Sequence, residues 1–432
     1  MSTTATQVQR VYLLLTLLTT LATSFIWGVN TLFLLDAGLS NTEAFAANAF
    51  FSAGMVLFEV PTGVLADTRG RRFSFLLGAA TLLGSTLLYL AMWQVQAPFL
   101  GWAVASILLG LGFTFFSGAT EAWLVDALRA TGFGGHLETV FGRGQTVGGI
   151  AMLTGSVLGG VVAQLTNLGA PYVLRAVMLG VALAAAFFLM RDLGFVSRTD
   201  VSTRTAAREV VRGSIDGGLR NRPVRWLMLA APFTGGVGIY VFYAMQPYLL
   251  ELYGEPDTYG IAGLAAAIVA GAQIVGGLAV PAVRRLFRRR TDALLLGVGL
   301  NVVALLGIAV VGWLQADLGM TAFYLAIVLL VVWALVSALQ RPIRLTFLNG
   351  AIPSEQRATV LSFDSLMSSA GGVVAQPVLG RVADVSGYAA SYLVSACISA
   401  VALPFIFLAR RERAASDAIS DRETRSADVQ AS

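Results

Sequence analysis

The chain has 432 residues, of which 56% are hydrophobic and only 12% are charged, and its formal net charge is +5. Soluble domains carry about twice that charged fraction, so the composition excludes an ordinary soluble globular protein. The arginines that give this positive charge are confined to certain loops. Membrane topology explains this distribution better than nucleic-acid binding does. The only cysteine, Cys397, excludes an internal disulfide, and the only histidine, His136, lies in a glycine-rich loop and not in a metal site.

Apolar runs of roughly 20 residues recur along the chain, which is the length that a helix needs to cross a bilayer core of about 30 Å. Residues 1–10 are polar, and the apolar run after them is too long for a signal peptide, so we interpret it as the first span. The first bundle, 11–190, is predicted to contain six spans at 11–35, 43–66, 73–95, 98–127, 139–166 and 169–190.

Residues 191–224 are the one long polar interruption, and they predict a cytoplasmic linker with an amphipathic helix on the membrane surface. The second bundle, 225–409, is predicted to contain six spans at 225–250, 259–283, 292–314, 320–345, 358–383 and 389–409. The polar residues 410–432 predict a disordered cytoplasmic tail.

The distribution of arginine predicts the orientation of the chain. All 29 basic residues are arginines, and most fall at one face if the N-terminus is cytoplasmic. Both termini are then cytoplasmic, as in a multi-pass protein of the plasma (inner) membrane. The absence of lysine points to a GC-rich, bacterial genome.

The two halves of the chain resemble each other. Val157-Leu158-Gly159 recurs 221 positions later as Val378-Leu379-Gly380, and a tyrosine begins the next span in both places. Duplicated six-helix halves are a recurrent transporter design, with the substrate bound between the repeats. We therefore expect an all-α membrane protein of 12 transmembrane helices in two pseudo-symmetric six-helix bundles.

The second and third spans are joined by Gly63-Val-Leu-Ala-Asp67-Thr-Arg69-Gly70-Arg71-Arg72. This segment resembles the signature loop of the major facilitator superfamily, G-x-L-A-D-R-x-G-R-R, with threonine in place of one arginine. The resemblance in topology covers about residues 11–409. It implies that Asp67 and Arg71 form a charge relay with an acid on the fourth span, for which Asp126 is the match, and that the relay latches the outward-facing state. Arg72 is expected to anchor the loop at anionic headgroups, beside the turn at Gly70 and the close helix approach at Gly63.

A second motif lies in the fifth span, at Gly155-Ser156-Val-Leu-Gly159-Gly160. It is similar to the G-P-x-x-G-G motif of proton antiporters in that superfamily, with Ser156 in place of proline. The alternative interpretation is a glycine-rich surface for helix packing.

Ionisable residues inside a span are costly and are therefore candidates for function. Glu59 and Glu121 are the first candidates for a proton-coupling site. In the alignment of the two halves Glu121 meets Arg341, which suggests a charge pair that forms or breaks as the halves rock. Asp364 is a further candidate, for which a helix-end acid is the alternative, and headgroup contact is the alternative for Glu59 and Glu121.

Polar and aromatic residues among aliphatic ones suit a cavity for a largely apolar ligand. The candidates are Trp27, Asn30, Tyr240, Tyr243, Gln246 and Gln273. Interhelical hydrogen bonding and packing is the alternative for each of them.

Together these features favour a proton-coupled exporter of small amphiphilic compounds, similar to the drug/proton antiporter branch and working by alternating access. We expect a monomer without cofactors in a lipid bilayer, with a small molecule and protons as partners, no nucleic acid and no enzyme activity. An importer of a nutrient such as a sugar or organic acid is the first alternative. A non-transporting receptor or a membrane enzyme is the second.

Overall fold

The computed structural model describes residues 4–116, 118–197, 215–255, 258–352 and 357–419, together with positions 205, 208 and 212. This part of the chain is helical, and its β-structure is limited to one isolated bridge between Arg289 and Ala418. The chain divides into two compact units, one of Met1–Ala207 with Pro256–Ala267 and the other of Arg208–Glu255 with Ile268–Ser432. The predicted all-helical fold class is confirmed.

Two of the predicted spans in the first unit are each built from two helices. The helices of this unit are α1 (Ala5–Trp27), α2 (Asn30–Asp36), α3 (Asn41–Arg69), α4 (Arg71–Val95), α5 (Phe99–Thr114), α6 (Ala119–Ala130), α7 (Leu137–Leu165) and α8 (Ala170–Leu189). The predicted span 11–35 breaks at Val29, whose φ of −123° and ψ of 0° are not helical. The predicted span 98–127 breaks before Ala119, at Gly118, whose φ of +66° is a conformation that favours glycine.

Capping residues fix where two of these helices begin. Thr4 and Gln7 form a reciprocal capping box at α1, and Ser40 and Glu43 form another at α3. Each box satisfies backbone N–H groups that a helix start leaves without partners. For that reason α1 begins at Ala5, six residues before the predicted start of the first span.

The last two predicted spans of the chain meet at a glycine. The remaining helices are α9 (Arg222–Tyr253), α10 (Gly260–Arg284), α11 (Arg290–Trp313), α12 (Gln315–Leu318), α13 (Met320–Ala351), α14 (Arg357–Ala400) and α15 (Ala402–Arg411). Gly387 interrupts α14 with φ +81° and ψ 167°, so the long helix consists of two segments.

Eleven helical ranges of the described chain are long and apolar enough to cross a membrane. The last of them, Val360–Arg411, has 52 residues and contains the break at Gly387, so it is long enough for two crossings. Large apolar side chains such as Leu100, Leu165 and Leu278 are exposed on the helices, as in a lipid-facing surface. The protein is a multi-pass membrane protein.

The ordered part of the chain extends further toward the C-terminus than the sequence predicted, as far as residue 419. Asp417 is buried and accepts hydrogen bonds from Thr291 N at 2.8 Å and Thr291 Oγ1 at 2.9 Å, which caps the first turn of α11. Arg410 also pairs with Asp292. The prediction of disorder from residue 410 is therefore wrong for residues 410–419, because these contacts hold the segment against α11. Residues 420–432 lie outside the described residues, as do residues 198–204, 206–207, 209–211 and 213–214 of the linker that was predicted to form an amphipathic helix. Within the described part of that linker, Ile215–Leu219 forms one π-helical turn.

Candidate functional site

A polar cavity of about 530 Å³ lies inside the second unit, between α9, α11, α13 and α14. Its polar lining consists of hydroxyl, amide and charged side chains: Thr234, Asn301, Ser337, Gln340, Arg341, Arg344, Asp364, Ser365, Ser368 and Ser399. Its apolar wall includes Val237, Ile239, Val298, Trp333 and Leu361. Such a mixture of an apolar wall and a few hydrogen-bonding groups is typical of a site for a small molecule.

A buried ion pair lies on the wall of this cavity. Arg344 of α13 holds Asp364 of α14 in a bidentate pair, with both N···O distances at 2.5 Å. The Asp364 side chain is only 6% exposed and that of Arg344 22%. Arg344 also donates to the Leu227 carbonyl of α9 at 3.1 Å, so three helices meet at this guanidinium. Each of the two charges is compensated by the other at this wall, so the loss of either one leaves a charge in the cavity wall without its partner.

Asp364 was predicted as a site of proton coupling, and the structure places it with Arg344 and not with Arg341. Arg341 lies one helical turn away on the same cavity and is exposed. The other two acidic candidates lie in the first unit: Glu121 is exposed in the first turn of α6, and Glu59 is half-buried on α3. The predicted pairing of Glu121 with Arg341 would join the two units and stays a prediction.

Two predicted cavity residues are instead buried in hydrogen bonds within their own units. The Asn30 side chain donates to Asn48 at 2.9 Å and accepts from the Tyr172 hydroxyl at 2.9 Å. Tyr240 is fully buried and donates to Ser391 Oγ at 2.6 Å. These bonds agree with the alternative interpretation, interhelical hydrogen bonding, because a polar group inside a bundle is costly unless a neighbour satisfies it. The substrate role of both residues stays a prediction.

The other four predicted cavity residues do not line the cavity either. Gln246 is buried, Trp27 is half-buried and Gln273 is exposed. Tyr243 is half-buried and packs edge-on against Phe242, with ring centroids 5.1 Å apart. Trp27 lies in the first unit, so the cavity of the second unit does not bear on it, and the substrate role of all four residues stays a prediction.

The glycine motif of α7 packs against α1. A Cβ on Gly155 would overlap Ser24 Oγ, and a Cβ on Gly159 would overlap the backbone carbonyl oxygen of Phe25. Ser156 is fully buried. The second unit repeats this arrangement, since a Cβ on Gly371 of α14 would overlap the backbone of Pro232 in α9. Small residues therefore allow close packing inside each unit, of α1 on α7 in the first and of α9 on α14 in the second. This is what the packing interpretation of the motif requires.

The loop between α3 and α4 has the predicted ion pair and turn, but it departs from the prediction at Gly63 and at Asp126. Arg71 pairs with Asp67 at 2.6 Å, and Gly70 has a φ of +104°. A Cβ on Gly63 would meet no atom of the described residues within 4 Å, so the predicted close approach of another helix is not seen at this glycine. Asp126 makes no ion pair with this loop among the described residues; its backbone oxygen lies instead against Gly194.

The acid that does contact the loop is Asp192, which sequence reasoning missed. Its Oδ1 accepts a hydrogen bond from the Arg72 backbone N at 2.8 Å, and its other oxygen fills the space beside Gly70. It thereby caps the first turn of α4 as Asp417 caps α11. In each unit an aspartate located after the last membrane-spanning helix accepts a hydrogen bond from a backbone N–H group. That group lies at the start of the helix that forms the third predicted span of the unit. The Arg72 guanidinium donates to the Phe187 carbonyl at 2.8 Å, so it is held inside the unit.

Replacing Asp192 by alanine is expected to lower the stability of the purified protein by about 1 kcal/mol through loss of the cap, whereas asparagine should retain most of it. Burial against the start of α4 raises the pKa of the Asp192 carboxyl, although the Arg72 backbone N–H and the charges of Arg72 and Arg71 oppose the shift. A raised pKa means that the folded state holds the proton more tightly than the unfolded state. The stability of wild type should then fall as the pH rises from the ordinary aspartate range through the raised pKa. Asp192→Asn has no carboxyl at this position and should not show this fall.

Thermal unfolding of the three proteins in detergent at several pH values measures both effects. Asp126→Asn is the control, because the Asp126 carboxylate makes no ion pair with the loop. Equal stability of Asp192→Ala and wild type would show that the contact does not act as a cap.

The sequence model of the Major Facilitator Superfamily matches residues 12–332 of this chain. The chain belongs to the major facilitator superfamily. Solved structures of this superfamily type include a nucleoside transporter, NupG, at TM-score 0.73 and 11% identity, where 94% of this chain and 98% of that one are covered. The D-xylose-proton symporter matches at TM-score 0.67 and 15% identity, with 94% and 98% covered. A bacterial homologue of the human lysosomal transporter Spinster matches at 0.68 and 15%, with 96% and 99% covered.

These identities are low, so the likeness to solved structures shows the fold alone. No curated protein matches the chain. Membership of the superfamily makes the protein a secondary transporter, with a small-molecule substrate and a bilayer environment. The major facilitator fold also accounts for the repeated packing of α1 on α7 and of α9 on α14, since its halves are related by duplication.

Sequence reasoning missed three functional candidates in this superfamily member: Arg344, Asn301 and Asp192. Arg344 stands three residues after Arg341, on the same helical face, and this spacing is the signal that could have found it. Asn301 is a polar residue within an apolar span, which is also a usable signal. Asp192 gives no signal, because its partner on α4 is 120 residues away along the chain.

Proposed function

We propose that the protein is a proton-coupled secondary transporter of small amphiphilic compounds, and that Asp364 is the group that takes and releases the proton. The observation that carries this proposal is the Arg344–Asp364 pair on the wall of the polar cavity. The carboxylate has a charged partner that it loses on protonation, and the cavity gives water and substrate access to the pair. A two-state ion pair beside a binding site is the element that coupling requires.

Two directions of transport are open, and each has its own support. Export of amphiphilic compounds in exchange for protons, as in the drug/proton antiporter branch, is supported by the partial motif at residues 155–160. Gly155 and Gly159 also have a packing role, which weakens that support. Uptake of a nutrient such as an organic acid together with protons is supported by the cavity, where two arginines face one acid.

We further propose that the Asp67–Arg71 loop is the conformational latch of alternating access and that the chain works as a monomer. The arginine distribution supports a plasma (inner) membrane protein with both termini in the cytoplasm. The two units repeat their helix packing, which supports rocking of two related bundles as the transport movement.

Liposomes that contain the purified protein and a pH-sensitive dye test the coupling. A panel of lipophilic cations, neutral antibiotics and organic acids is applied as an inward gradient, with protein-free vesicles as the blank. Substrate entry should move protons in wild type and in Asp292→Asn, a control at a half-buried ion pair that does not line the cavity, but not in Asp364→Asn. Acidification of the lumen means that protons enter with the substrate, and alkalinisation means exchange.

Proton movement that persists in Asp364→Asn and disappears in Glu121→Gln or Glu59→Gln would move the coupling site to the first unit. Substrate equilibration without any proton movement in wild type would contradict proton coupling itself.

A further inference from the structure

The cavity of the second unit has an excess of positive charge. Among its described lining residues three are charged: Arg341 and Arg344 on α13 and Asp364 on α14. The lining residues from α9 and α11 are hydroxyl, amide or apolar. With Asp364 ionised, the charge of the lining is therefore +1.

The two arginines are engaged differently. Arg344 directs one terminal nitrogen at Asp364 and the other at both Asp364 and the Leu227 carbonyl, so three of its five N–H groups are used within the protein. Arg341 makes no ion pair with any described residue and is exposed on the cavity. Its guanidinium is thus available to a ligand, and a guanidinium binds carboxylates in a bidentate manner.

Hydrogen-bonding groups stand near this guanidinium. Ser337 is one helical turn before Arg341 and accepts from Asn301 Nδ2 at 3.0 Å, whereas the Asn301 Oδ1 atom is buried and has no hydrogen-bond partner among the described residues. Gln340 lies against Gly297, where a Cβ would come within 2.8 Å of its amide carbon. Trp333, Val298 and Leu361 supply apolar surface on the same cavity.

Resting on the proposed coupling at Asp364, we infer that the cargo is a small organic anion with an apolar body, whose acidic group binds Arg341 on this cavity. A lipophilic cation would meet net positive charge there, at short range and in a partly dehydrated site. The apolar wall receives the body of the molecule, and Ser337 and Gln340 supply hydrogen-bonding groups on the same cavity.

The charge on the cavity changes when Asp364 takes a proton. The ion pair with Arg344 then breaks, and the charge of the lining rises from +1 to +2. The anion therefore binds more tightly to the protonated protein, and by reciprocity the anion favours protonation of Asp364. Anion and proton bind together, which favours uptake over export among the two directions proposed above.

The test measures thermal stabilisation of the detergent-purified full chain by three probes of one shape: phenylacetate, phenylacetamide and phenethylammonium. Phenylacetate should stabilise the protein, and more at acid than at neutral pH, while the amide and the amine should not. Arg341→Gln should weaken the binding of phenylacetate by about ten- to a hundredfold, which is the loss expected for one hydrogen bond to a charged group. Arg341→Lys should restore part of the binding, and Arg288→Gln, at an exposed arginine outside the cavity, should bind as wild type does.

Asp364→Asn separates this inference from the proposed coupling. With the acid removed, the lining charge is +2 at every pH, so the variant should bind phenylacetate at neutral pH as tightly as wild type does at acid pH. If the anion binds through Arg341 but Asp364→Asn still moves protons, the coupling site is wrong and the cargo class stands. If Asp364→Asn stops proton movement but a cation is the better probe, the cargo class is wrong and the coupling stands.

Vesicle lipid is the other source of an anionic group. The same series is repeated with added phosphatidylglycerol and with phosphatidylcholine. Stabilisation by phosphatidylglycerol alone would show that Arg341 holds a lipid headgroup and would overturn the inference. Stabilisation by none of the three probes, or equally by all three, would overturn it as well.

Discussion

Replacing Asp364 by alanine should destabilise the second unit by about 2–3 kcal/mol. Removing one partner of a fully buried ion pair costs about 3–5 kcal/mol, because the remaining charge has no compensation. Arg344 is 22% exposed and reaches the cavity, so water compensates part of the loss. The free energy of unfolding in detergent, from denaturant titration, is the measurement.

Two variants show whether the loss comes from the orphaned charge. The double variant Arg344→Met with Asp364→Leu should return to within about 1 kcal/mol of wild type, because a well-packed apolar pair can replace a buried ion pair. Asp292→Ala removes an acid whose pair with Arg410 is 32% and 41% exposed, and it should cost about 0–1 kcal/mol. Equal losses in Asp364→Ala and Asp292→Ala would show that the cavity pair is not buried from water in solution.

Gly159→Ala should also lower stability, by about 1–3 kcal/mol, although alanine is the better helix former. The added Cβ would overlap the backbone carbonyl oxygen of Phe25, and a backbone atom cannot move away by a change of rotamer. The α1–α7 contact must then open along its length, so transport should fall together with stability. Thermal unfolding and transport in liposomes measure the two effects.

Gly149→Ala is the matched control in the same helix. A Cβ there meets nothing within 4 Å, so the substitution should be neutral or should stabilise by up to about 1 kcal/mol through helix propensity. Similar behaviour of the two variants would contradict the packing role of Gly159. It would return the motif at residues 155–160 to its interpretation as an antiporter signature.

The helices and the loop after α3 could be predicted from the sequence because their signals are local. Apolar runs set the spans, and Gly70 with Asp67 and Arg71 set the turn and its ion pair within five residues. The break at Val29 inside the first predicted span was missed, because the apolar run continues through the change of backbone direction there.

The site could be predicted only in part because it depends on how each helix is rotated. Asp364 was found as an ionisable residue in a span, but its partner could have been Arg341 or Arg344, which share one face of α13. Tyr240 has the composition of a ligand contact, yet Ser391, which is 151 residues away, satisfies its hydroxyl. The caps by Asp192 and Asp417 bridge 120 and 126 residues, and no local pattern specifies contacts over such distances.

Infrared difference spectroscopy tests most directly whether Asp364 carries the coupled proton. Spectra of the protein in liposomes are recorded at acid and at neutral pH, and the carbonyl stretch of a protonated carboxyl group is followed. The predicted result is a component of this band that appears at acid pH in wild type, Glu59→Gln and Glu121→Gln and is missing from the spectrum of Asp364→Asn, whereas the other carboxyl groups contribute equally to all four spectra. A full wild-type band in Asp364→Asn, with a component missing in one of the glutamine variants, would contradict a coupling role for Asp364.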